Sequence, residues 1–208
     1  MWFFGAVARW RAWFLVAALA LAVLLQTAFP LQLAGFGLTF GLMFLSFFGY
    51  LKYRPVTLDP VASPGLVLSA AAFTFLGTNL VSDDIGDLIA GRDDMLWWGD
   101  IPSGALWVLL VAYWWYLALG PQGVEIRADG VHDRQPLGRM FVPWEALGSA
   151  TVGRRNEIFL RIVRPELVVR RGLRLQPSTI NPVVDAGYLA SVINARLETG
   201  DNAPLPQS

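Results

Sequence analysis

The sequence predicts an integral membrane protein of two domains, an α-helical membrane domain over residues 1–121 and a small α+β domain over residues 122–198. Hydrophobic residues occupy 55% of the 208 positions and the mean hydropathy is +0.48, whereas ordinary soluble domains are about 45–50% apolar. The first half contains long runs without a charged side chain, and most of the arginines follow Gly123. This uneven distribution places the two parts in different surroundings.

Four charge-free runs predict four transmembrane helices, at about residues 12–29, 33–51, 65–81 and 101–119. Each run approaches the roughly 20 residues that cross a hydrocarbon core. Pro30 separates the first two helices and an acidic loop over residues 82–100 separates the last two, so we expect two helical hairpins. A cleaved signal peptide is the alternative for the first run, since Arg9 and Arg11 precede it, but a second apolar run follows at once.

Small and uncharged polar residues lie within these runs. Gly37 and Gly41 have the GxxxG spacing that lets another helix approach closely, and this pair predicts helix packing in which a homo-oligomer is an open alternative. Gln26, Thr27 and Asn79 are the notable polar groups at membrane depth, and none is ionisable. Because an ion or proton pathway usually needs a charged residue there, transport is disfavoured, and a passive pore remains open.

The cationic residues predict the orientation of the helices. Arg9 and Arg11 precede the first run, and Lys52 and Arg54 follow the second, so both of these ends are expected on the cytoplasmic side. The loop over residues 82–100 holds a single arginine and several aspartates, which fits the outer side. Four spans then return both chain termini to the cytoplasm.

The acidic loop is a candidate for cation binding because clustered carboxylates suit hard cations. Its carboxylates are Asp83, Asp84, Asp87, Asp93, Asp94 and Asp100. They lack the spacing of a calcium-binding loop. We therefore predict a solvated outer loop or a short interfacial helix, and no metal site.

The last third of the chain predicts an antiparallel sheet that is closed by one helix. Short alternating runs are broken by turn residues, with Asp129 and Gly130 as a hairpin signal. Asn181 is the predicted N-cap of the helix and Pro182 its first residue. Residues 199–208 are predicted to form a frayed tail.

The segments GVEIRADGV and FVPWEAL resemble the bacterial pleckstrin-homology-like domains that are attached to small membrane proteins. The resemblance covers about residues 122–198 and implies a small, partly open barrel with one helix at its end. It also implies a bacterial inner membrane. Eukaryotic relatives often bind inositol phosphates beside the first hairpin, but here Asp129 lies at that tip and would repel a phosphate.

Candidate binding residues are the arginines of the later sheet. They are Arg154, Arg155, Arg161, Arg170, Arg171 and Arg174. Near a membrane each could add about 1 kcal/mol of attraction to anionic lipid, or they could contact a partner protein. The alternative is that they form ordinary solvated strand faces. Trp144 is interpreted as core or barrel-rim packing.

Several classes of function are disfavoured by the composition. The net charge is zero and Lys52 is the single lysine, which argues against nucleic-acid binding. The chain has no cysteine, and His132 is its one histidine and has no recognised catalytic partner, so we expect no catalytic residue, cofactor or metal.

The expected function is that of a non-enzymatic interaction or scaffolding module, anchored at the cytoplasmic face of a bacterial inner membrane. Its partners would be the lipid bilayer and a cytoplasmic or membrane protein. The alternative is a membrane sensor or channel in which the helices and the acidic outer loop carry the function.

Overall fold

The structure is a computed structural model that describes residues 2–26, 29–58, 61–89, 101–120, 122–135, 137–173 and 178–199. The chain divides into two compact units. The helical unit contains Met1–Lys52 and Ala62–Gly120, and the β unit contains Tyr53–Val61 and Pro121–Ser208. The segment Tyr53–Val61, which we call the strap, therefore belongs with the C-terminal part of the chain although it lies between two apolar helices.

In the described residues the helical unit has five α-helices. They are α1 (Trp2–Arg9), α2 (Arg11–Leu25), α3 (Phe29–Lys52), α4 (Pro64–Ile89) and α5 (Ile101–Leu119). Among the described residues, three helices (α3, α4 and α5) are long and apolar enough to cross a membrane. α1 and α2 meet at an angle of 89°, and this bent pair would make a fourth span if it is counted as one.

The observed helix bounds differ from the predicted ones at three places, and α1 was not predicted. The first predicted span, over residues 12–29, ends at Leu25 as α2, and Phe29 already begins the next helix. α3 begins at Phe29, so Pro30 lies in its first turn, where the missing N–H of proline costs no hydrogen bond. α4 continues to Ile89, so the first part of the predicted outer loop, including Asp83, is helical. No glycine–proline signal ends the helix after Val81. The rest of the acidic loop, with Asp93, lies outside the described residues.

α4 is the central helix of this unit. In its candidate span 61% of the residues are buried inside the protein, compared with 22% in α3 and 11% in α5. The sequence favours this position because Ala70, Ala71 and Ala72 are small enough to let neighbouring helices approach closely. Trp115 of α5 donates a hydrogen bond of 2.8 Å from its indole N–H to the hydroxyl of Thr74.

Small residues also make the contact between α3 and α4. The Ser46 hydroxyl donates to the carbonyl of Gly65 at 2.8 Å, and a Cβ atom added at Gly49 would lie 3.0 Å from the backbone nitrogen of Gly65. A Cβ atom added at Gly37 or Gly41 meets no neighbour within 4 Å in the described part of the chain. The GxxxG pair thus faces away from this contact, and its packing against a further helix remains a prediction.

The described part of the β unit contains seven strands and one α-helix. They are β1 (Gly123–Arg127), β2 (Gly130–Gln135), β3 (Gly138–Pro143), β4 (Leu147–Val152), β5 (Ile158–Ile162), β6 (Val169–Gly172), β7 (Thr179–Ile180) and α6 (Ala186–Thr199). One sheet has the order β1-β2-β3-β6 and the other β4-β5-β7, and all neighbours are antiparallel. The predicted antiparallel sheet region followed by a helix is therefore confirmed.

The first hairpin is present, with its turn one residue earlier than predicted. Arg127 pairs with Gly130, so Ala128 and Asp129 form the turn and Gly130 begins β2. Gly130 has φ +152°, and a Cβ atom there would lie 2.3 Å from the carbonyl oxygen of Val142. Glycine is needed at this position because a side chain would collide with β3.

The C-terminal helix begins later than predicted, and Asp185 caps it instead of Asn181. The Asp185 carboxylate accepts a hydrogen bond of 2.8 Å from the backbone N–H of Tyr188. Asn156, in the left-handed region with φ 59°, donates from its side-chain amide to the carbonyls of Pro182 at 3.0 Å and Val184 at 2.9 Å. These contacts hold the residues before Asp185 outside the helix.

The strap packs on the β unit. The backbone N–H of Asp185 donates to the carbonyl of Pro55 at 2.9 Å. Leu58 and Val61 are partly buried against the hydrophobic core, which includes Val131, Ile158, Ile180 and Ile193 among its fully buried members. The core is thus completed by residues that come from between α3 and α4 in the sequence.

Candidate functional site

The predicted binding arginines are divided between different parts of the β unit. Arg154 and Arg155 lie in the turn between β4 and β5, and Arg161 lies on β5 in the second sheet. Arg170 and Arg171 lie on β6, at the edge of the first sheet. Arg174 is outside the described residues. The sequence did not show that Arg171 lies directly opposite Arg139 of β3, with Arg134 on the strand beyond.

Three arginines stand side by side across the first sheet. Arg134 of β2 is directly opposite Arg139 of β3, and Arg139 is directly opposite Arg171 of β6. Residues directly opposite in an antiparallel pair project from the same face, and neighbouring strands lie about 4.8 Å apart. We call this set the arginine row.

A second row lies beside the arginine row on the same face. His132, Phe141 and Val169 are also directly opposite one another, two residues along each strand. That offset corresponds to about 6.7 Å. The His132 and Phe141 rings stack with centroids 4.5 Å apart and planes at 28°, and Val169 is 47% exposed. We call this set the apolar row.

The two rows line one shallow cavity of about 300 Å³. Its lining also includes Asp129, Asp133 and Met140. A cavity with guanidinium groups on one side and a ring and an aliphatic side chain on the other is chemically amphipathic. It suits a ligand that carries an anionic group next to an apolar one.

The arginine row is only partly neutralised by the protein. Arg134 Nη2 lies 3.8 Å from Glu125 Oε2, and the same carboxylate also accepts a hydrogen bond of 2.8 Å from Arg127 Nε. Within the described residues, no carboxylate lies within 4.0 Å of the guanidinium group of Arg139 or Arg171. Because like charges directly opposite each other destabilise a sheet, this row favours an added anion.

One carboxylate lies at the end of the apolar row. His132 Nε2 is 3.0 Å from Asp129 Oδ1 and 3.1 Å from Oδ2. The hydrogen bond with His132 holds the pKa of the Asp129 carboxyl below its ordinary value. The Asp129 side chain is 58% exposed, so it keeps a negative charge at the surface beside the cavity.

The position of Trp144 agrees with its interpretation as a packing residue. It is partly buried against the core, and its indole N–H donates to the carbonyl of Arg127 at 3.1 Å. The guanidinium carbon of Arg196, on α6, lies 5.3 Å from the centre of the ring. Trp144 thus joins the first hairpin to α6.

The helical unit has a polar pair of its own. The side-chain amide of Gln26 donates to the side-chain oxygen of Asn79, and Asn79 is 3% exposed. Asn79 Nδ2 has no hydrogen-bond partner in the described part of the chain. Gln26 also lines an apolar cavity of about 680 Å³ between α2, α4 and α5, with Thr74 and Trp107. Thr27 lies outside the described residues.

Neither a metal-binding cluster nor a comparison with known proteins assigns a chemistry to the site residues. Across the described residues, no group of three or more histidine, cysteine, aspartate or glutamate side chains could hold a metal ion. No protein-family model matches the chain, and no curated protein or solved structure is significantly similar to it.

Proposed function

We propose that this chain is a membrane-anchored interaction module, in which apolar helices tether a pleckstrin-homology-like β unit that binds a partner protein at the cytoplasmic face of a bacterial inner membrane. The observation that carries the proposal is the surface that the arginine row and the apolar row form on the first sheet, which we call the two-row surface. Arginine and aromatic side chains are enriched at protein–protein interfaces, so a sheet face with three arginines beside a stacked ring pair favours binding to another protein. Two antiparallel sheets followed by one C-terminal helix support the assignment of the domain type.

The strap supports a topology in which α4 and α5 both cross the membrane. The strap and the C-terminal residues belong to one compact unit, and the Pro55 carbonyl accepts a hydrogen bond from Asp185. This supports a location of both segments on the same side of the bilayer. Since α4 and α5 are the helices between them, it also supports an even number of crossings.

A second contact supports a cytoplasmic start of α2. Arg11 Nη1 lies 3.4 Å from the carbonyl of Ala118 and 3.5 Å from that of Gly120, at the C-terminal end of α5. Cations are favourable near these unpaired carbonyls. The contact supports a common membrane surface for Arg11 and the end of α5, and with it the proposed four crossings when the α1–α2 pair is counted as one.

Cysteine labelling tests this topology, because the chain contains no natural cysteine. Single-cysteine variants V56C and S208C should resist a membrane-impermeant maleimide in intact cells and react after permeabilisation. The control variant I85C, at the opposite end of α4, should react in intact cells. Labelling of S208C in intact cells would overturn the proposed topology.

Site-specific photo-crosslinking tests the interaction function in living cells. A photoreactive amino acid at Val169, which is 47% exposed in the apolar row, should give adducts of defined mass. The matched control is Val152, which is 53% exposed on the second sheet and should give none of these adducts. The same adducts from both positions, or none from Val169, would contradict binding at this surface.

In a second candidate function, the helical unit acts as a sensor or a channel. The buried side-chain nitrogen of Asn79, which has no hydrogen-bond partner among the described residues, and the neighbouring cavity favour it, because an unpaired polar group at membrane depth is costly. The acidic positions Asp83, Asp84, Asp87, Asp93 and Asp94 would then form the input. Replacing them with Asn should abolish the cellular response of a sensor and leave a pure tether unaffected.

A further inference from the structure

We propose that the two-row surface recognises an extended acidic segment of a partner protein in which a carboxylate is followed, two residues later, by an apolar side chain. This inference rests on the proposed interaction function and names the chemistry of its partner. The arginine row supplies the carboxylate contact and the apolar row supplies the contact for the second side chain.

The spacing of the rows selects this arrangement. The rows are two residues apart on each strand, and residues i and i+2 of an extended segment also project on one side at about 6.7 Å. A segment that lies along β3 therefore brings its carboxylate to Arg139 and its apolar side chain to Phe141. Arg134 and Arg171, one strand away on either side, flank the same carboxylate.

The position of the arginines within the sheet argues for a ligand on its face. Charged residues on an edge strand often serve to prevent unwanted strand pairing, and that role could explain Arg171 on β6. It does not explain Arg134 and Arg139, because β2 and β3 are interior strands. Three aligned cations across interior and edge strands instead match an anion that bridges them.

The local charge pattern favours a discrete segment over a bilayer surface. A flat anionic membrane would meet Asp129, whose side chain is 58% exposed, together with the arginines. A narrow segment avoids this carboxylate when it lies along β3. The apolar row also has no counterpart in a phospholipid headgroup, whereas a peptide supplies one.

A defined peptide tests the proposal with the full chain in neutral lipid nanodiscs. The probe is a fluorescein-labelled peptide of Glu-Ser-Tyr-Ser repeats, which places Glu and Tyr on one side, and binding is followed by fluorescence anisotropy. We expect replacement of each Glu by Gln, or of each Tyr by Ser, to weaken binding. The Glu change should cost at least about tenfold, because charge-assisted hydrogen bonds are lost.

The protein variants identify the surface. R139Q/R171Q should weaken binding of the Glu peptide at least about tenfold, whereas R154Q/R155Q, the same charge change in the β4–β5 turn, should stay within about twofold. R139E/R171E should instead bind a Lys-Ser-Tyr-Ser peptide, and this gain cannot come from misfolding. No binding by the natural chain, or equal binding by R139Q/R171Q, would overturn the proposal.

Competition separates a peptide from a phospholipid. Glycerol phosphate, a soluble headgroup analogue, should displace the peptide no better than sodium chloride of equal ionic strength. Stronger displacement would assign the arginine row to headgroups and overturn the peptide assignment. Adducts from Val169 in cells together with a failed peptide test would leave the interaction function standing and reject only the ligand class.

Discussion

The side-chain amide of Asn194 pairs with the backbone of Ala150 through two hydrogen bonds of 2.8 Å, one in each direction. Ala150 lies on β4, an edge strand of the second sheet, and Asn194 lies on α6. An asparagine amide has one donor and one acceptor side, as a peptide group does. α6 therefore supplies the hydrogen-bond partners of this edge of the sheet, where another strand would otherwise pair.

Asn194→Leu is expected to lower the free energy of unfolding of the β unit by about 2 kcal/mol, because the N–H and C=O of Ala150 would lose their partners while 3% exposed. N194D should also destabilise the β unit, since a carboxylate repels the Ala150 carbonyl.

The free energy of unfolding can be measured through a cysteine introduced at the buried Ala190, because its labelling rate in urea reports the opening of the β unit. Ser191→Ala, exposed on the same helix, should change the value by less than about 0.5 kcal/mol.

The strap provides a second stability test. Leu58 is partly buried against the β-unit core, whereas Val56 in the same strap is 67% exposed. L58S should lower the free energy of unfolding by about 1–2 kcal/mol through lost apolar burial, and V56S should have little effect. Thermal unfolding of the full chain in detergent, reported by labelling of A190C, measures both. Equal effects of the two changes would show that the strap does not contribute to the core.

The helices and the general plan of the β unit were predictable because their signals are local. A charge-free run such as the one over 101–119 is stable in few environments other than a bilayer, and α5 begins and ends at the predicted residues. The start of α6 was not predictable, because Asn156 decides it through contacts with Pro182 and Val184 across a long sequence separation. The association of the strap with the β unit depends on tertiary packing in the same way.

The candidate site was only partly accessible to sequence reasoning. Arg171 was among the predicted binding residues, but Arg139, directly opposite it, and Arg134, one strand further, were not. The three arginines align only because β2 and β3 form a tight hairpin and β6, which follows β4 and β5 in the chain, pairs with β3. The hairpin register could have suggested the Arg134–Arg139 pair, whereas nothing local places β6 beside it.

Glycine substitutions in α3 distinguish its inner side from its outer side. A Cβ atom at Gly49 would lie 3.0 Å from the Gly65 backbone, and one at Gly41 meets nothing within 4 Å. Gly49→Val should therefore separate α3 from α4 and lower the melting temperature in detergent, while Gly41→Val should leave the monomer unchanged. If G41V also destabilises the monomer, the assignment of the two sides is wrong.

The hydrogen bond between His132 and Asp129 predicts a titration effect. It lowers the pKa of Asp129 from its ordinary value of 3.8, so H132F, which keeps a ring on Phe141 but removes the hydrogen bond, should raise this pKa toward 3.8. Carbon NMR of the labelled aspartate carboxyl measures the change, with Asp129→Asn identifying the resonance.

Since the pKa of Asp129 is lower in the folded state, the stabilisation of the folded state is present above about pH 4 and is lost as the pH falls through the folded-state pKa. The stability advantage of the natural chain over H132F should therefore shrink as the solution is acidified, and an advantage that grew below pH 4 would contradict the assigned hydrogen bond.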